Sequence, residues 1–382
     1  MPFICWERCP RDKIPNGIAV ARACHLDYSG MMSFTHDSPP SEQGLCSKGD
    51  KPLADLIEEA IARRQPLIRR LHEEGTNTYR AFHGTVEGRD GLTIDRYGLQ
   101  VMVQTFHEPL APGELSLIEH CMKASLGFDP LMVYHDRSSR QGSARSRQQH
   151  TGNEPPGECR EMGVRYTIQA FHRGQDPLLF LDLRAARRYV LGASRDKSVL
   201  NLFAYTCGIG LCAALGGADQ VINVDFSSSH LEFGATNAGL NGIAAQKMAF
   251  INEDVFPALR QFAGLPIKGR GRKRSYMKLE PRQFDLVVMD PPRWAKSAFG
   301  TVDLVHDYQS IFKPAVLATK PGGTILCTNH VPQMDLEVWL GILDRCAAKA
   351  GRPLKDFEII KPEDDFPAKD NHHPLKIAVV RV

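Results

Sequence analysis

The stretch from Val199 to Asn241 constrains the fold more than any other part of the sequence. A short apolar run leads to a turn with two glycines, an Ala- and Leu-rich segment, a Gly-Gly stop and a second apolar run that ends on Asp225. Short apolar runs bounded by turns are typical of buried parallel strands, and the segment between them predicts a helix. The stretch therefore predicts a βαβ unit that can bind a nucleoside at the carboxyl ends of its strands.

The two glycines and the acid suggest how such a ligand would be bound. Gly208 and Gly210 lack a Cβ atom, so the backbone can turn sharply there and a ligand can lie against it. A carboxylate at Asp225 can accept two hydrogen bonds from a ribose diol. The glycines alone fit a dinucleotide as well as S-adenosylmethionine, and they also fit a plain turn in any α/β enzyme. The ligand stays open on this evidence.

Two later stretches carry further chemistry. Residues 284–289 form an apolar run, which is followed by Asp290, a Pro-Pro pair, an arginine and Trp294. Two prolines fix φ twice and remove two backbone donors, so carbonyl groups and the Asp290 carboxylate can point into a crevice. Residues 320–329 predict a Pro-Gly-Gly turn and a further strand.

The segments LNLFAYTCGIG, NVDFS, NEDVF, DPPRWAKS and PGGTILCTN occur in this order. They resemble the successive motifs of class I S-adenosylmethionine-dependent methyltransferases, and more narrowly those of the bacterial large-subunit ribosomal RNA methyltransferases that modify cytosine C5 or guanine N7. The resemblance implies an α/β fold: a Rossmann-like domain with a mostly parallel, doubly wound sheet, preceded by a small β-rich α+β domain. It also implies S-adenosylmethionine as the cofactor, RNA as the partner and methyl transfer to ribosomal RNA as the activity.

The resemblance carries cofactor-binding roles over to this chain. The expected residues follow the strand ends: Asn201, Phe203, Ala204, Tyr205, Thr206, Gly208, Asp225, Phe226, Asp254, Val255 and Asp290. In the family, the residue that matches Asp254 accepts the adenine amino group. An aspartate directly before a helix is also a common N-cap, and this alternative stays open for Asp254.

The catalytic residues are expected to be Asp290, Pro291, Pro292, Trp294 and His330. Methyl transfer needs the target atom in line with the methyl group and the sulfur, so positioning and exclusion of water can supply most of the catalysis. Asp290 and the two prolines would hold the polar edge of a base. Trp294 would stack on its face, with a core position as the alternative.

His330 decides which atom we expect to be methylated. The cytosine-C5 enzymes need a thiolate that adds to C6, and their cysteine follows the strand after the Pro-Gly-Gly turn, where this chain has His330. Cys327 lies earlier, inside the predicted strand, where its side chain is expected to point to the core. Thr328–His330 resembles the Ser-Asn-Asn stretch of the guanine-N7 enzymes instead. We therefore prefer a base nitrogen over C5, with His330 orienting the base, accepting a proton or serving the structure alone.

Basic residues before and after the Asp290 strand predict contacts with RNA phosphates. The expected RNA-binding residues are Arg270, Arg272, Lys273, Arg274 and Lys296. A solvated charged loop is the alternative. Arg184, Arg187 and Arg188 lie on a predicted helix and would face the cofactor or RNA, unless that helix is an ordinary surface helix.

Length and composition set the expected domains and compartment. The 382 residues are enough for two domains: a poorly ordered extension over 1–50, a small α+β domain over 51–160 with a possible role in RNA binding, and a methyltransferase domain over 161–382. Within them, 138–157 predicts a polar linker. A net charge of only +3 means that any basic surface is local. Ten scattered cysteines and the lack of a membrane-length apolar run predict reduced thiols, no metal, no membrane partner and a cytoplasmic location.

Other functions stay open. A nicotinamide oxidoreductase would share the fold, but the Asp-Pro-Pro turn and the lack of a Gly-x-Gly-x-x-Gly fingerprint disfavour it. Another RNA, a protein or a small molecule could be the methyl acceptor, and a non-catalytic RNA-binding protein could have kept the fold. The sequence leaves the oligomeric state undecided, with a homodimer as one option.

Overall fold

The computed structural model describes residues 51–138, 148–150, 157–169, 177–267 and 275–382. The α-helices are α1 (Leu53–Glu73), α2 (Gly84–Glu87), α3 (Glu114–Leu126), α4 (Arg184–Ala193), α5 (Gly208–Leu215), α6 (Ser228–Leu240), α7 (Val255–Phe262), α8 (Gln309–Ala318) and α9 (Leu336–Lys349). None of the helices in these ranges combines the length and the apolar character that a membrane crossing requires.

The strands form two sheets and two hairpins. They are β1 (Thr78–His83), β2 (Leu92–Tyr97), β3 (Gln100–Thr105), β4 (Leu131–Asp136), β5 (Gln148–His150), β6 (Gly157–Glu161), β7 (Val164–Ile168), β8 (Ser198–Leu202), β9 (Gln220–Asp225), β10 (Met248–Asn252), β11 (Phe284–Met289), β12 (Trp294–Lys296), β13 (Thr301–Asp303), β14 (Thr319–Asn329), β15 (Asp356–Ile360) and β16 (Lys376–Arg381). The extension expected over 1–50 lies outside the described residues.

The first sheet has the order β1-β2-β3-β4-β5 and is antiparallel except between β3 and β4. Alternate residues of its strands, such as Ile94 and Val103, pack against apolar side chains of α1 and α3, including Ile57 and Ile118. The linker expected over 138–157 is wrong at Gln148–His150, which pairs with β4 as β5. A segment can pair with an exposed strand edge even when its sequence does not alternate apolar and polar residues, because backbone groups make the pairing.

The second sheet has the order β10-β9-β8-β11-β14-β16-β15. Its first five strands run parallel, and β16 is antiparallel to both β14 and β15. Neighbouring residues of one strand serve opposite faces: Val199 packs in the core with α4, α5 and α6, and Leu200 packs in the core with α7, α8 and α9. The predicted mostly parallel, doubly wound sheet is confirmed.

The strand order reverses next to β8. The chain builds β8, β9 and β10 in one direction and then returns to build β11 and β14 on the other side of β8. Such a switch point leaves a crevice at the carboxyl ends of the strands, because the connecting helices leave towards opposite faces. The crevice of this chain therefore lies at the ends of β8 and β11.

The Pro-Gly-Gly turn is an irregularity within a strand rather than a turn before one. Thr319 pairs with Phe284, and the next paired residue of β14 is Thr324, opposite Leu286. Residues 320–323 are thus looped out of the ladder, with Gly322 at a φ of 77°. Because Thr319 pairs with Phe284 before this loop, β14 begins ahead of the Pro-Gly-Gly turn and not after it.

A buried ion cluster joins the two sheets. Glu161 accepts hydrogen bonds from Arg187 at 2.5 and 2.8 Å, and Asp365 accepts two from Arg184 at 3.1 and 3.0 Å. Asp365 also accepts the backbone N–H of Arg80 on β1, at 3.1 Å. The expectation that Arg184 and Arg187 face RNA is wrong, because both guanidinium groups are buried against carboxylates. Their expected place beside the cofactor stays a prediction.

The hairpin of β6 and β7 is part of this junction. Residue 160, where the sequence places a domain boundary, lies in β6, whose residues pair with β7 along its length. Tyr97 and Met102 of the first sheet pack in the same core as Tyr166 of the hairpin. The two-domain division stays a prediction, since packing is continuous across the hairpin.

Replacing Glu161 by alanine is expected to lower the free energy of unfolding by about 3–5 kcal/mol, because Arg187 would be left buried without a partner. Glu158→Ala on the same strand is the matched control. Its partner Arg165 is on the surface, so the loss should be below about 1 kcal/mol. Denaturant titration followed by circular dichroism measures both, and equal losses would contradict a stabilising role of the cluster.

Candidate active site

Five strand ends carry the polar residues of the candidate site. Leu202, the last residue of β8, is level with Val224 of β9 on one side and with Met289 of β11 on the other. Asp225 and Asp290 are each the next residue along their strands, so they flank the end of β8 at the same edge. Neighbouring strands are about 4.8 Å apart. The two acids therefore lie at one edge of the sheet, on either side of the end of β8.

The turn between β8 and α5 is built from left-handed residues other than glycine. Phe203, Tyr205 and Cys207 have φ values of 56°, 49° and 62°. The expectation that Gly208 and Gly210 make the sharp turn is wrong, since neither has a positive φ. Left-handed non-glycine residues each cost about 1–2 kcal/mol and persist only where the surroundings hold them.

The second glycine serves close packing instead. A Cβ atom on Gly210 would lie 2.0 Å from the Oδ1 atom of Asn223 on β9. Asn223 in turn accepts a hydrogen bond from the amide of Asn201 at 2.9 Å. Asn201 is buried, and its amide is committed to the interface between sheet and helix. The structure does not bring that side chain into the crevice, and its cofactor contact stays a prediction.

Three hydrogen bonds hold the turn in place. The N–H of Ala204 donates to the carbonyl of Val224 at 3.0 Å. The N–H of Tyr205 donates to Oδ2 of Asp225 at 2.9 Å. The hydroxyl of Thr206 donates to the carbonyl of Leu178 at 2.6 Å. Both neighbouring strand and preceding segment therefore fasten the turn.

Asp225 is the most constrained acid of the crevice. Its Oδ1 accepts the N–H of Ser227 at 2.9 Å, and its Oδ2 accepts that of Tyr205. Burial raises the pKa of this carboxyl group to about 6, although these N–H groups act in the opposite direction. Each oxygen has lone-pair capacity left for a ligand donor. Phe226, the next residue, exposes 40% of its surface beside this acid.

Asp254 is the N-cap of α7. Its Oδ1 accepts the N–H of Phe256 at 2.8 Å, so the capping use left open by the sequence is real. Burial raises the pKa of its carboxyl group, and a hydrogen bond with Ser297 opposes that rise. Val255, the first residue of α7, is buried. A capping aspartate uses one oxygen for the helix, so a second function of Asp254 stays compatible with this geometry.

Among the described residues, one side chain forms a hydrogen bond with Asp290. The hydroxyl of Thr328 on β14 donates to its Oδ1 at 2.5 Å. Burial raises the pKa of the Asp290 carboxyl group to about 6. Pro291 is buried and Pro292 is half-buried, which keeps the following backbone close to the sheet.

Trp294 begins a hairpin that the sequence pattern does not predict. Strands β12 and β13 pair over three residues each, which is too short for an alternation pattern. Ser297 in the hairpin turn contacts Asp254, so the hairpin reaches from the end of β11 to the end of β10. Trp294 is partly exposed and belongs to neither core of the second sheet. Lys296 is exposed on the same hairpin.

His330 follows β14 and is neutral at physiological pH. Burial lowers its pKa to about 4, helped by the charges of Arg293 and Lys376. Lys376, which the sequence analysis missed, donates from Nζ to the carbonyl groups of Val331 and Pro374 at 2.9 Å. It therefore holds the loop that carries His330, although it lies far from it in the sequence.

No reactive thiol accompanies these residues in the part of the chain that the structure describes. The six cysteines found there are all buried. Cys327 donates a weak hydrogen bond from Sγ to the carbonyl of Ala378 at 3.6 Å, and burial raises the pKa of its thiol to about 12. Across the same ranges, no group of three or more His, Cys, Asp or Glu side chains could hold a metal ion. The expected RNA contacts at Arg270, Arg272, Lys273 and Arg274 lie outside the described residues.

Comparisons with known proteins agree with this geometry. Residues 153–381 match a family described as S-adenosylmethionine-dependent methyltransferase. The protein named Ribosomal RNA large subunit methyltransferase I of Vibrio vulnificus strain YJ016 is 31% identical over 327 residues, which cover 83% of this chain and 76% of that protein. Its namesake in Escherichia coli strain SMS-3-5 is 29% identical, over 77% and 71% of the two chains. A candidate S-adenosylmethionine-dependent methyltransferase from Streptococcus mutans has the same fold, with a TM-score of 0.67 at 20% identity over 86% of this chain and 80% of that one.

The raised pKa of Asp225 predicts a pH-dependent affinity for S-adenosylmethionine. The carboxyl group is ionised above about pH 6 and protonated below it, and the ionised form is the better acceptor for a ribose diol. The dissociation constant should therefore rise by up to about tenfold per pH unit below pH 6. Isothermal titration calorimetry from pH 8 to pH 5 measures this.

Asp225→Asn should weaken the binding of S-adenosylmethionine at pH 8 and reduce the change of its dissociation constant with pH. Some pH dependence should remain, because the pKa of Asp290 is also raised to about 6. Asp219→Asn, at an exposed position just before β9, is the matched control and should behave like the wild type. A wild-type affinity for S-adenosylmethionine that is the same at pH 5 and pH 8 would contradict this explanation.

Proposed function

The chain belongs to the S-adenosylmethionine-dependent methyltransferase family, and from this premise we propose that it methylates a base nitrogen of large-subunit ribosomal RNA. The cofactor is S-adenosylmethionine, as the sequence predicts, and the chain is an enzyme. The proposed substrate follows the names of relatives about 30% identical over most of the chain. One observation supports nitrogen as the acceptor: a neutral histidine, rather than a thiolate, follows β14.

The crevice suits the adenosine part of the cofactor. Asp225 keeps acceptor capacity on both oxygens and would hold the ribose, and Asp254 would accept the adenine amino group beside its capping bond. Residues 203–206 lie between these acids and Asp290, where their strained backbone would pass beneath the ligand. When bound, S-adenosylmethionine supplies a methyl group on a sulfonium, which is already a good leaving group.

The residues after β11 would bind the methyl acceptor. The Asp290 carboxylate, oriented by Thr328, would accept a hydrogen bond from an amino or imino group of the base. Trp294 is partly exposed and available to stack on a base that has left its helix. A ring nitrogen with its own lone pair needs no covalent activation, so positioning in a dry site suffices for transfer.

His330 would orient the base or accept its proton. With its pKa lowered to about 4, the imidazole is uncharged and has one acceptor nitrogen at neutral pH. Attack at cytosine C5 would require a thiolate instead, and Cys327 is buried, hydrogen-bonded to the backbone and protonated. These features support a nitrogen acceptor.

Contacts with RNA outside the crevice stay predictions. Lys296 is exposed on the β12–β13 hairpin, beside the candidate site, where a cation would meet a phosphate. The small domain, a cytoplasmic location and a possible homodimer likewise stay predictions. Methylation of another RNA, a protein or a small molecule is the alternative. The non-catalytic RNA-binding role that the sequence left open is set aside, because the chain matches the methyltransferase family.

We expect the enzyme to transfer tritium from labelled S-adenosylmethionine to ribosomal RNA isolated from cells that lack the protein, with the label on a base nitrogen by mass spectrometry. Asp290→Ala should lower the rate by at least about 100-fold, the usual effect of removing a group that holds the reacting centre. Label in protein or small molecules but in no RNA would reject the substrate class.

The acceptor atom is tested separately. Cys327→Ala should keep transfer within a few-fold of the wild type, because the thiol does not reach the crevice. Ribosomal RNA containing 5-fluorocytidine should form no covalent complex, since that trap requires a thiolate attached to C6. A trapped complex that Cys327→Ala abolishes would establish C5 chemistry and overturn the nitrogen assignment.

A further inference from the structure

Asp182 lies in a short 3-10 turn, Leu181–Leu183, directly before α4. The segment that leads to it is fastened to the β8–α5 turn. The Leu178 carbonyl accepts the hydroxyl of Thr206, and the ring of Phe180 lies 5.2 Å from that of Tyr205, centroid to centroid. The segment that carries Asp182 is thereby fastened to the strained turn after β8, although it lies outside the βαβ unit.

The carboxylate is near the reacting end of the crevice. Its charge raises the pKa of Asp290, so the two acids are within electrostatic range of each other. Burial raises the pKa of Asp182 itself, and the charges of Arg80 and Arg187 oppose that rise. Leu181 and Leu183 are buried on either side of it and fix the turn, whereas Asp182 stays partly exposed.

Neither arginine is a hydrogen-bond partner of Asp182. Arg80 donates to both oxygens of Asp95 at 2.7 and 2.8 Å, and Arg187 donates to both oxygens of Glu161. In the part of the chain that the structure describes, no side chain lies within hydrogen-bond distance of the Asp182 carboxylate. A partly buried carboxylate that has a backbone hydrogen bond but no side-chain donor keeps acceptor capacity, so the site is suited to a cation that a ligand brings.

The cofactor has such a cation. The methionine part of S-adenosylmethionine ends in an ammonium group with three donors, next to a carboxylate. The other carboxyl groups at this edge of the sheet already accept hydrogen bonds within the chain and have other proposed ligand partners: Asp225 accepts two backbone N–H groups, Asp254 caps its helix and Asp290 accepts the hydroxyl of Thr328. Asn201, at the end of β8, uses its amide for Asn223.

We propose that the Asp182 carboxylate accepts hydrogen bonds from the ammonium group of the methionine part of S-adenosylmethionine. The ammonium also reduces the repulsion between Asp182 and Asp290, because an opposite charge nearby favours the ionised form of both. This binding residue is not among those that the sequence predicts. It depends on the cofactor of the family and not on the proposed RNA substrate.

Two ligands without a reactive methyl group test the assignment. S-adenosylhomocysteine has the amino-acid head, and 5′-methylthioadenosine has the same adenosine and thioether without it. Asp182→Asn should raise the dissociation constant of S-adenosylhomocysteine by at least about tenfold, the loss typical of a charge-assisted hydrogen bond. The same variant should bind 5′-methylthioadenosine within about twofold of the wild type, since that ligand has no ammonium.

The control is Asp225→Asn, which should lower the affinity for both ligands, because both carry the ribose. Asp182→Ser is measured in parallel, so that a folding defect of one variant does not decide the result. Equal weakening of both ligands by both Asp182 variants would overturn the proposal in favour of a structural role. Unchanged affinity for S-adenosylhomocysteine would overturn it as well. Neither measurement involves RNA, so failure of the proposed substrate leaves this test intact.

Discussion

The β8–α5 turn is the constraint on which the candidate site depends. Three of its five residues hold a left-handed backbone without being glycine, and each conformation costs about 1–2 kcal/mol on its own. The neighbouring strand supplies two of the bonds that hold them, one of them through the side chain of Asp225. Because that carboxylate is also the proposed partner of the cofactor ribose, the group that maintains the strained turn is the one proposed to meet the ligand.

The junction between the two sheets depends on buried ion pairs. Glu161 and Asp365 neutralise Arg187 and Arg184 in the same region where Arg80 of the first sheet is anchored. A buried ion pair adds little net stability compared with apolar residues of similar volume, but it tolerates only one arrangement of its partners. Arg187 also lowers the pKa of Asp290. The junction of the sheets and the electrostatics of the crevice therefore share a residue.

Several features of the sequence were sufficient to predict the framework. The apolar runs that became β8, β9 and β11, with an acid after two of them, are local patterns that burial on both faces of a parallel sheet requires. The resemblance of the ordered motifs led to the family and its cofactor. Short elements escaped prediction. β5 is held by pairing with β4, and the β12–β13 hairpin has strands of three residues, so neither carries a pattern of its own.

The sequence by itself determined the longer strands and helices of the second sheet and the acids at the strand ends, because those depend on neighbours within a few residues. Only the tertiary structure decided which charges are buried and which are free for a ligand. Arg184 meets Asp365 across 181 residues, Glu161 neutralises Arg187, and no side chain of the described residues donates a hydrogen bond to Asp182. Such pairings arise from the packing of distant segments, and no local pattern of residues encodes them.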